Sequence, residues 1–106
     1  MSRPTYPLEE LWQAIDTGQC WFHAAARDGR NALGFTEEDG NECLESLSRE
    51  DFMKSSADRR GRKGLFHDVY CTTWNGRDVY IKFFRLASGQ PFVVSSFKAD
   101  QRRELP

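Results

Sequence analysis

The chain is poor in the residues that build metal centres. It has two histidines, His23 and His67, and no H-x-x-x-H or similar cluster, so no bound metal and no cofactor are expected. Its three cysteines, Cys20, Cys43 and Cys71, lie far apart. An odd number without a C-x-x-C pair points to a reducing compartment and away from disulfides or structural zinc. No apolar run is long enough to span a bilayer, and no signal-peptide pattern is present, so a cytoplasmic location is expected. Repeats and low-complexity tracts are also missing. A length of 106 residues suits one domain with a single modest core. That domain is expected over residues 1–99, with 100–106 a flexible tail.

A net charge of −1 leaves little overall attraction for a polyanion, yet the charge is unevenly placed. Residues 1–50 carry four Lys or Arg against ten Asp or Glu, a net of −6; residues 51–106 carry eleven against six, a net of +5. A polyanion would meet the second half.

The first half reads as helical. In "YPLEELWQAIDTG", Pro7 and the acids Glu9 and Glu10 suit a helix start, Leu8, Leu11, Trp12 and Ile15 share a face, and Gly18 ends it. "QCWFHAA" reads as a short strand and "ARDGRNALG" as a loop or a frayed helical turn. "FTEEDGNECLESL" reads as a second helix capped by Thr36 and weakened by Gly40. "LSREDFMKSS" reads as a short helix capped by Ser48, with Lys54 on the side opposite Phe52. "ADRRGRKG" carries Arg59, Arg60, Arg62 and Lys63 between glycines. By itself it is most simply a solvated charge run; the sharper reading is a loop that contacts phosphates.

From Leu65 to Lys98 the chain reads as a three-stranded antiparallel meander, so the class is α+β. Asn75-Gly76 is a strong hairpin signal. With those two as loop residues, paired positions sum to 151, which puts His67 on one face with Tyr80 and Lys82. The second turn leaves two registers open. A two-residue turn at Ser88-Gly89 sends Lys98 to the opposite face, whereas a three-residue loop sets it opposite Tyr80.

In the second register, His67, Tyr80, Lys82 and Lys98 share a surface with Lys54 and the Arg59–Lys63 loop at its border. An imidazole, a phenol and several ammonium groups, without a carboxylate pair, suit phosphodiester chemistry without a metal. RNA brings its own nucleophile in the 2′-hydroxyl, so the protein need only splay the strand, move protons and stabilise charge on phosphorus. Taken singly, each residue is more simply explained as surface decoration; the conjunction carries the hypothesis.

The blocks "LSREDFMKS", "FHDVY", "DVYIKF" and "VVSSFK", in that order, resemble the MqsR family of bacterial type II toxins. The similarity runs from about Leu8 to Lys98. It implies a RelE-like fold and a metal-independent endoribonuclease that cuts single-stranded mRNA at short GC-containing sequences. It also implies a DNA-binding, MqsA-like antitoxin as partner. Carried over position by position, the proposed active site falls on Lys54, Tyr80, Lys98 and His67, the last where the best-known member has glutamine. Arg59, Arg60, Arg62, Lys63 and Lys82 are candidate RNA contacts. The competing expectation is a non-catalytic RNA-binding or antitoxin-binding module on the same fold.

Overall fold

The computed structural model describes residues 3–101. Its elements are α1 (Leu8–Asp16), β1 (Cys20–Phe22), α2 (Ala24–Ala32), α3 (Glu37–Glu45), a 3-10 turn (Arg49–Asp51), β2 (Phe52–Ala57), β3 (Phe66–Trp74), β4 (Arg77–Arg85) and β5 (Phe92–Ala99). The five strands form one sheet in the order β1-β5-β4-β3-β2, with β1 parallel to β5 and the other pairs antiparallel. The α+β expectation is met, and the meander is its centre.

Apolar side chains decide which face of the sheet the helices cover. Tyr70, Val79, Ile81, Phe83, Phe92, Val94 and Phe97 are fully buried on one face, in a cluster with Leu8 and Leu11 of α1 and Cys43 and Leu44 of α3. Each large aliphatic buried this way contributes roughly 1.5–3 kcal/mol. Tyr70 stacks on Phe83 with ring centroids 5.6 Å apart. Asp68 lies fully buried on this apolar face, where its carboxylate accepts the backbone N–H groups of Thr5 at 3.0 Å and Tyr6 at 2.9 Å. A buried charge needs such partners, and here they fasten the chain leading into α1 to the middle of β3.

Local signals explain most boundaries. Thr36 caps α3 reciprocally: its hydroxyl accepts from Asp39 N–H at 3.1 Å, and the Asp39 carboxylate accepts from Thr36 N–H at 2.9 Å. Asn75 and Gly76 both take positive φ, 50° and 75°, as a type I′ hairpin turn demands. The β3–β4 pairs, among them Tyr70 with Ile81 and Thr72 with Val79, fall on the expected sum of 151.

Two expectations are corrected. The "ARDGRNALG" segment is neither a loop nor a frayed turn for most of its length: it lies largely in the helix Ala24–Ala32, although it is polar and contains Gly29. Its packed side has small residues where it meets β5: Ala26 is fully buried, Arg30 is buried over the Phe22 ring, and a methyl group at Gly29 would lie 2.1 Å from the Phe97 carbonyl oxygen. Close contact between backbones, more than apolar area, holds α2 against β5. The second correction concerns Lys54. The Ser48–Asp51 cap forms, with the Ser48 N–H donating to Asp51 at 2.9 Å, but it supports a single 3-10 turn. Phe52–Ala57 is then a strand, because the free edge of β3 offers a ladder and the serines that follow offer no apolar helix face.

The approach at Gly29 reverses the sign of an ordinary substitution. Gly→Ala inside a helix normally stabilises by about 1 kcal/mol. Here Gly29→Ala is expected to destabilise by roughly 1–3 kcal/mol and to lower the melting temperature by several degrees. A circular dichroism melt checks this; a raised melting temperature would refute the close packing of α2 on β5.

Candidate active site

The face of the sheet opposite α1 and α3 carries the charged residues. Lys54, Val69, Lys82 and Ser96 form one row across β2, β3, β4 and β5; Cys71, Tyr80 and Lys98 form the next. Paired residues on neighbouring strands point to the same side. At about 4.8 Å per strand, the Cα atoms of Lys54 and Lys82 stand roughly 10 Å apart on either side of Val69. Val69 and Cys71 are almost fully buried, so the floor of this surface is dry while Lys54 and Lys98 are exposed above it.

Both of those lysines reach this face through a one-residue bulge. In β2 the pairing passes from Phe52–Tyr70 to Lys54–Val69 and leaves Met53 as the extra residue. In β5 the pairs next to the turn, Arg85–Phe92 to Phe83–Val94, follow the register of a two-residue turn. After Ser95 the pairs Lys82–Ser96 and Tyr80–Lys98 follow the other register. Both registers weighed from the sequence therefore occur in one strand, and the bulge, not the turn, sets Lys98 opposite Tyr80. The Lys98 ammonium lies 5.3 Å from the centre of the Tyr80 ring, within cation–π range.

His67 lies on the same face with only 7% of its surface exposed. Its Nε2 is 2.9 Å from Asp58 Oδ1, its Nδ1 is 3.3 Å from the Ser95 hydroxyl, and its ring packs on Phe84 at 4.5 Å. Since a carboxylate only accepts, the Nε2–H donates to Asp58. Burial drives the His67 pKa down, and Lys82 and Arg62 push the same way, against the opposing pull of Asp58. Burial thus favours the neutral form of the ring, with the Nε2–H directed to Asp58.

Asp58 is the knot of the loop that follows β2. Its side chain is 3% exposed and meets Arg62 through two guanidinium contacts of 3.1 Å and through the Arg62 backbone N–H at 3.2 Å. The hydrogen bonds from Arg62, joined by that from His67, hold the Asp58 carboxyl well below the usual carboxylate range. The Arg62 guanidinium also lies 5.2 Å from the Phe84 ring centre. Arg62 is therefore tied to the protein although its side chain is 43% exposed, and Arg59, Arg60 and Lys63 are exposed on the same loop. Lys82 is half-buried, and its pKa is lowered first by that burial and then by Arg59 and Lys54, with Lys98 adding to the effect. Four cations therefore bear on one patch of sheet.

All the residues singled out in the sequence lie on this face or on the loop at its border. Asp58, Ser95 and Phe84, which hold His67 in place, were not singled out. The spacing of Asp58 four residues before Arg62 was a readable signal for the first. The three-residue step between the core residues Val94 and Phe97 was a signal for the bulge at Ser95.

The blocks "DFMKS", "FHDVY", "DVYIKF" and "VVSSFK" lie on β2, β3, β4 and β5, so four separate stretches of sequence meet on one surface. A family model described as "Motility quorum-sensing regulator, toxin of MqsA" matches residues 3–99. The chain belongs to this family. The match ends at Ala99, the last residue of β5, so it takes in every element of the sheet and the helices that cover it. No curated protein matches the chain. As a member of the MqsR family the chain is a toxin of a toxin–antitoxin system, and the family description names MqsA as the antitoxin.

Because the His67 pKa is lower in the folded protein than in the unfolded chain, the unfolded state binds more protons once the pH falls below about 6.5. Stability is therefore lost as the pH falls from that value toward the folded-state pKa. Melting temperatures between pH 7.5 and pH 5 should fall more steeply for the wild-type toxin than for His67→Gln. Parallel slopes would show that the ring is not buried in its neutral form.

Proposed function

We propose that this MqsR-family toxin is a metal-independent endoribonuclease, an mRNA interferase, that cleaves single-stranded mRNA in the cytoplasm at short GC-containing sequences and so arrests growth. The observation that carries the reading is the pair of bulges at Met53 and Ser95, which bring Lys54 and Lys98 to the face that holds Tyr80 and Lys82. Bulges are enriched beside active sites because they re-aim side chains.

In this scheme the 2′-hydroxyl oxygen attacks the adjacent phosphorus while its proton passes to a solvent water. The bond from phosphorus to the 5′-oxygen breaks, and that oxygen gains a proton. The products are a 2′,3′-cyclic phosphate and a free 5′-hydroxyl. Lys54 and Lys98 supply ammonium groups for the non-bridging oxygens, and Tyr80 supplies a hydroxyl beside Lys98. Lys82 has its ammonium form disfavoured by burial and neighbouring cations, which suits it to protonate the departing 5′-oxygen. Arg59, Arg60 and Lys63 follow the RNA backbone next to the site.

His67 enters as a positioning residue. Both ring nitrogens face protein partners, Asp58 and Ser95, so its part is to fix the Asp58–Arg62 knot and with it the cationic loop. The antitoxin of the MqsA type is the implied partner; an MqsA-like protein that binds DNA completes the scheme.

Mapping of RNA ends after incubation with purified toxin tests the reading. Lys98→Ala and Tyr80→Phe are each expected to slow cleavage by roughly 10²–10³-fold, the usual cost of losing one preorganised donor to a transition state. Lys54→Ala should slow it in the same direction, and chelators should leave the rate unchanged. His67→Gln should retain most of the activity. If His67→Gln, still folded, fell as far as Tyr80→Phe, the ring would be a proton carrier. Growth arrest without any RNA cleavage by the wild type would favour the non-catalytic module.

A further inference from the structure

We propose that the groove running from Tyr80 and Lys98 to the end of α2 seats one nucleotide of the RNA, next to the phosphate that the lysine surface handles, and that it sets the base preference. The proposal rests on the ribonuclease reading of this face and adds to it a site for the base.

The groove encloses about 590 Å³ and is lined by Ala32, Arg77, Tyr80, Lys98, Ala99 and Asp100 among others. That volume lies within the roughly 300–1,000 Å³ range of small-ligand sites. Its chemistry matches a nucleotide in two respects. Tyr80 offers a ring, and Ala32 with Ala99 offers apolar wall, which together suit the flat faces of a base. Arg77 and Lys98 are two cations on a groove otherwise rich in small residues, and they suit the phosphates flanking one nucleoside.

A division of labour follows. Lysines that contact phosphate oxygens carry no sequence information, so the rows of Lys54, Lys82 and Lys98 cannot tell one base from another. The groove is continuous with those rows through Tyr80 and Lys98, and it has the walls that a base requires. It exists because Gly29 lets α2 lie against β5, which brings Ala32 beside the end of that strand.

Ala32 is exposed, so a large side chain there fills the groove without entering the core. Cleavage of a randomised single-stranded RNA pool, with end mapping, compares wild type with Ala32→Trp and Arg77→Ala. Ala32→Trp is expected to raise KM by roughly 10- to 100-fold, equivalent to the loss of one stacked base, and to flatten the preference at one position beside the cut. The turnover rate at saturating RNA should change far less. Arg77→Ala should raise KM without altering base preference. An unchanged KM and an unchanged preference in Ala32→Trp would overturn the proposal. Should that variant fail to fold, an unchanged KM in Arg77→Ala overturns it instead.

A second arm separates this proposal from the reading beneath it. A dinucleotide carrying a 2′-O-methyl group cannot be cut, and its binding is followed by amide chemical shifts. Shifts at Ala32 and Ala99 support the groove even if wild-type toxin cleaves no RNA, a result that would refute the ribonuclease reading alone. Saturating dinucleotide without shifts at those residues refutes the groove.

Discussion

Two extra residues, Met53 in β2 and Ser95 in β5, govern the chemistry of the sheet. A strand alternates its side chains strictly, so one inserted residue exchanges the faces of everything beyond it. Without the bulge at Ser95, the register next to the turn would continue, and Lys98 would point into the layer occupied by Ile81. Phe97 would then point to solvent. Without the bulge at Met53, Lys54 would face the layer of Asp68. The bulges allow each strand to keep its aromatic residue in the core while delivering a lysine to the open face. Core packing and the cationic surface are therefore satisfied by the same two irregularities, and neither can be altered without the other.

Two buried aspartates on opposite sides of the sheet organise what surrounds it. Asp68 faces the helices and accepts the N–H groups of Thr5 and Tyr6, which starts the chain toward α1 from a fixed point. Asp58, at the start of the loop, works on the open side through Arg62 and His67. A buried carboxylate is costly unless its lone pairs are occupied, so each aspartate imposes a geometry on the segment that supplies its donors. One fixes a helix entrance and the other fixes a cationic loop. His67 is part of the second arrangement. An imidazole can connect Asp58 to Ser95, and so joins the loop to the bulge that places Lys98.

What could be read from the sequence follows from the range over which each signal acts. The Thr36 cap, the acidic first turn of α3 and the Asn75-Gly76 turn are local, and each specifies its structure within four residues. From that hairpin alone, His67, Tyr80 and Lys82 could be placed on one face. Signals that depend on a distant partner were less legible. The packed side of α2 includes Ala26, Gly29 and the charged Arg30, which an apolar pattern does not register; the value of the first two lies in letting backbones approach. The Phe52–Ala57 segment carries a helix cap before it and becomes a strand because β3 has an edge to pair. The placement of Lys98 depended on a bulge, whereas the sequence directed attention to a turn. The four motif blocks were legible as family features before their meeting point could be seen.

The uneven charge of the chain acquires a spatial meaning in the fold. The acids of the first half are concentrated in α1 and α3, including Glu9, Glu10, Glu37, Glu38 and Asp39, and those helices cover the core side of the sheet. Lys54, Lys82 and Lys98, with Arg59, Arg60 and Lys63 of the bordering loop, lie on or beside the other face, while Arg85 stays on the helix side with Glu10. A protein with a net charge of −1 thus presents a positive face without becoming a general coater of polyanions. At physiological salt, charges more than about 8 Å away are largely screened, so an approaching strand senses the near patch and little of the acidic far side. The exposed lysines and the loop arginines attract the backbone, while dry neighbours such as Val69, Cys71 and Phe84 keep water from beneath them. Selection among sequences must then come from surfaces beyond that patch, since attraction to phosphate is the same for every base.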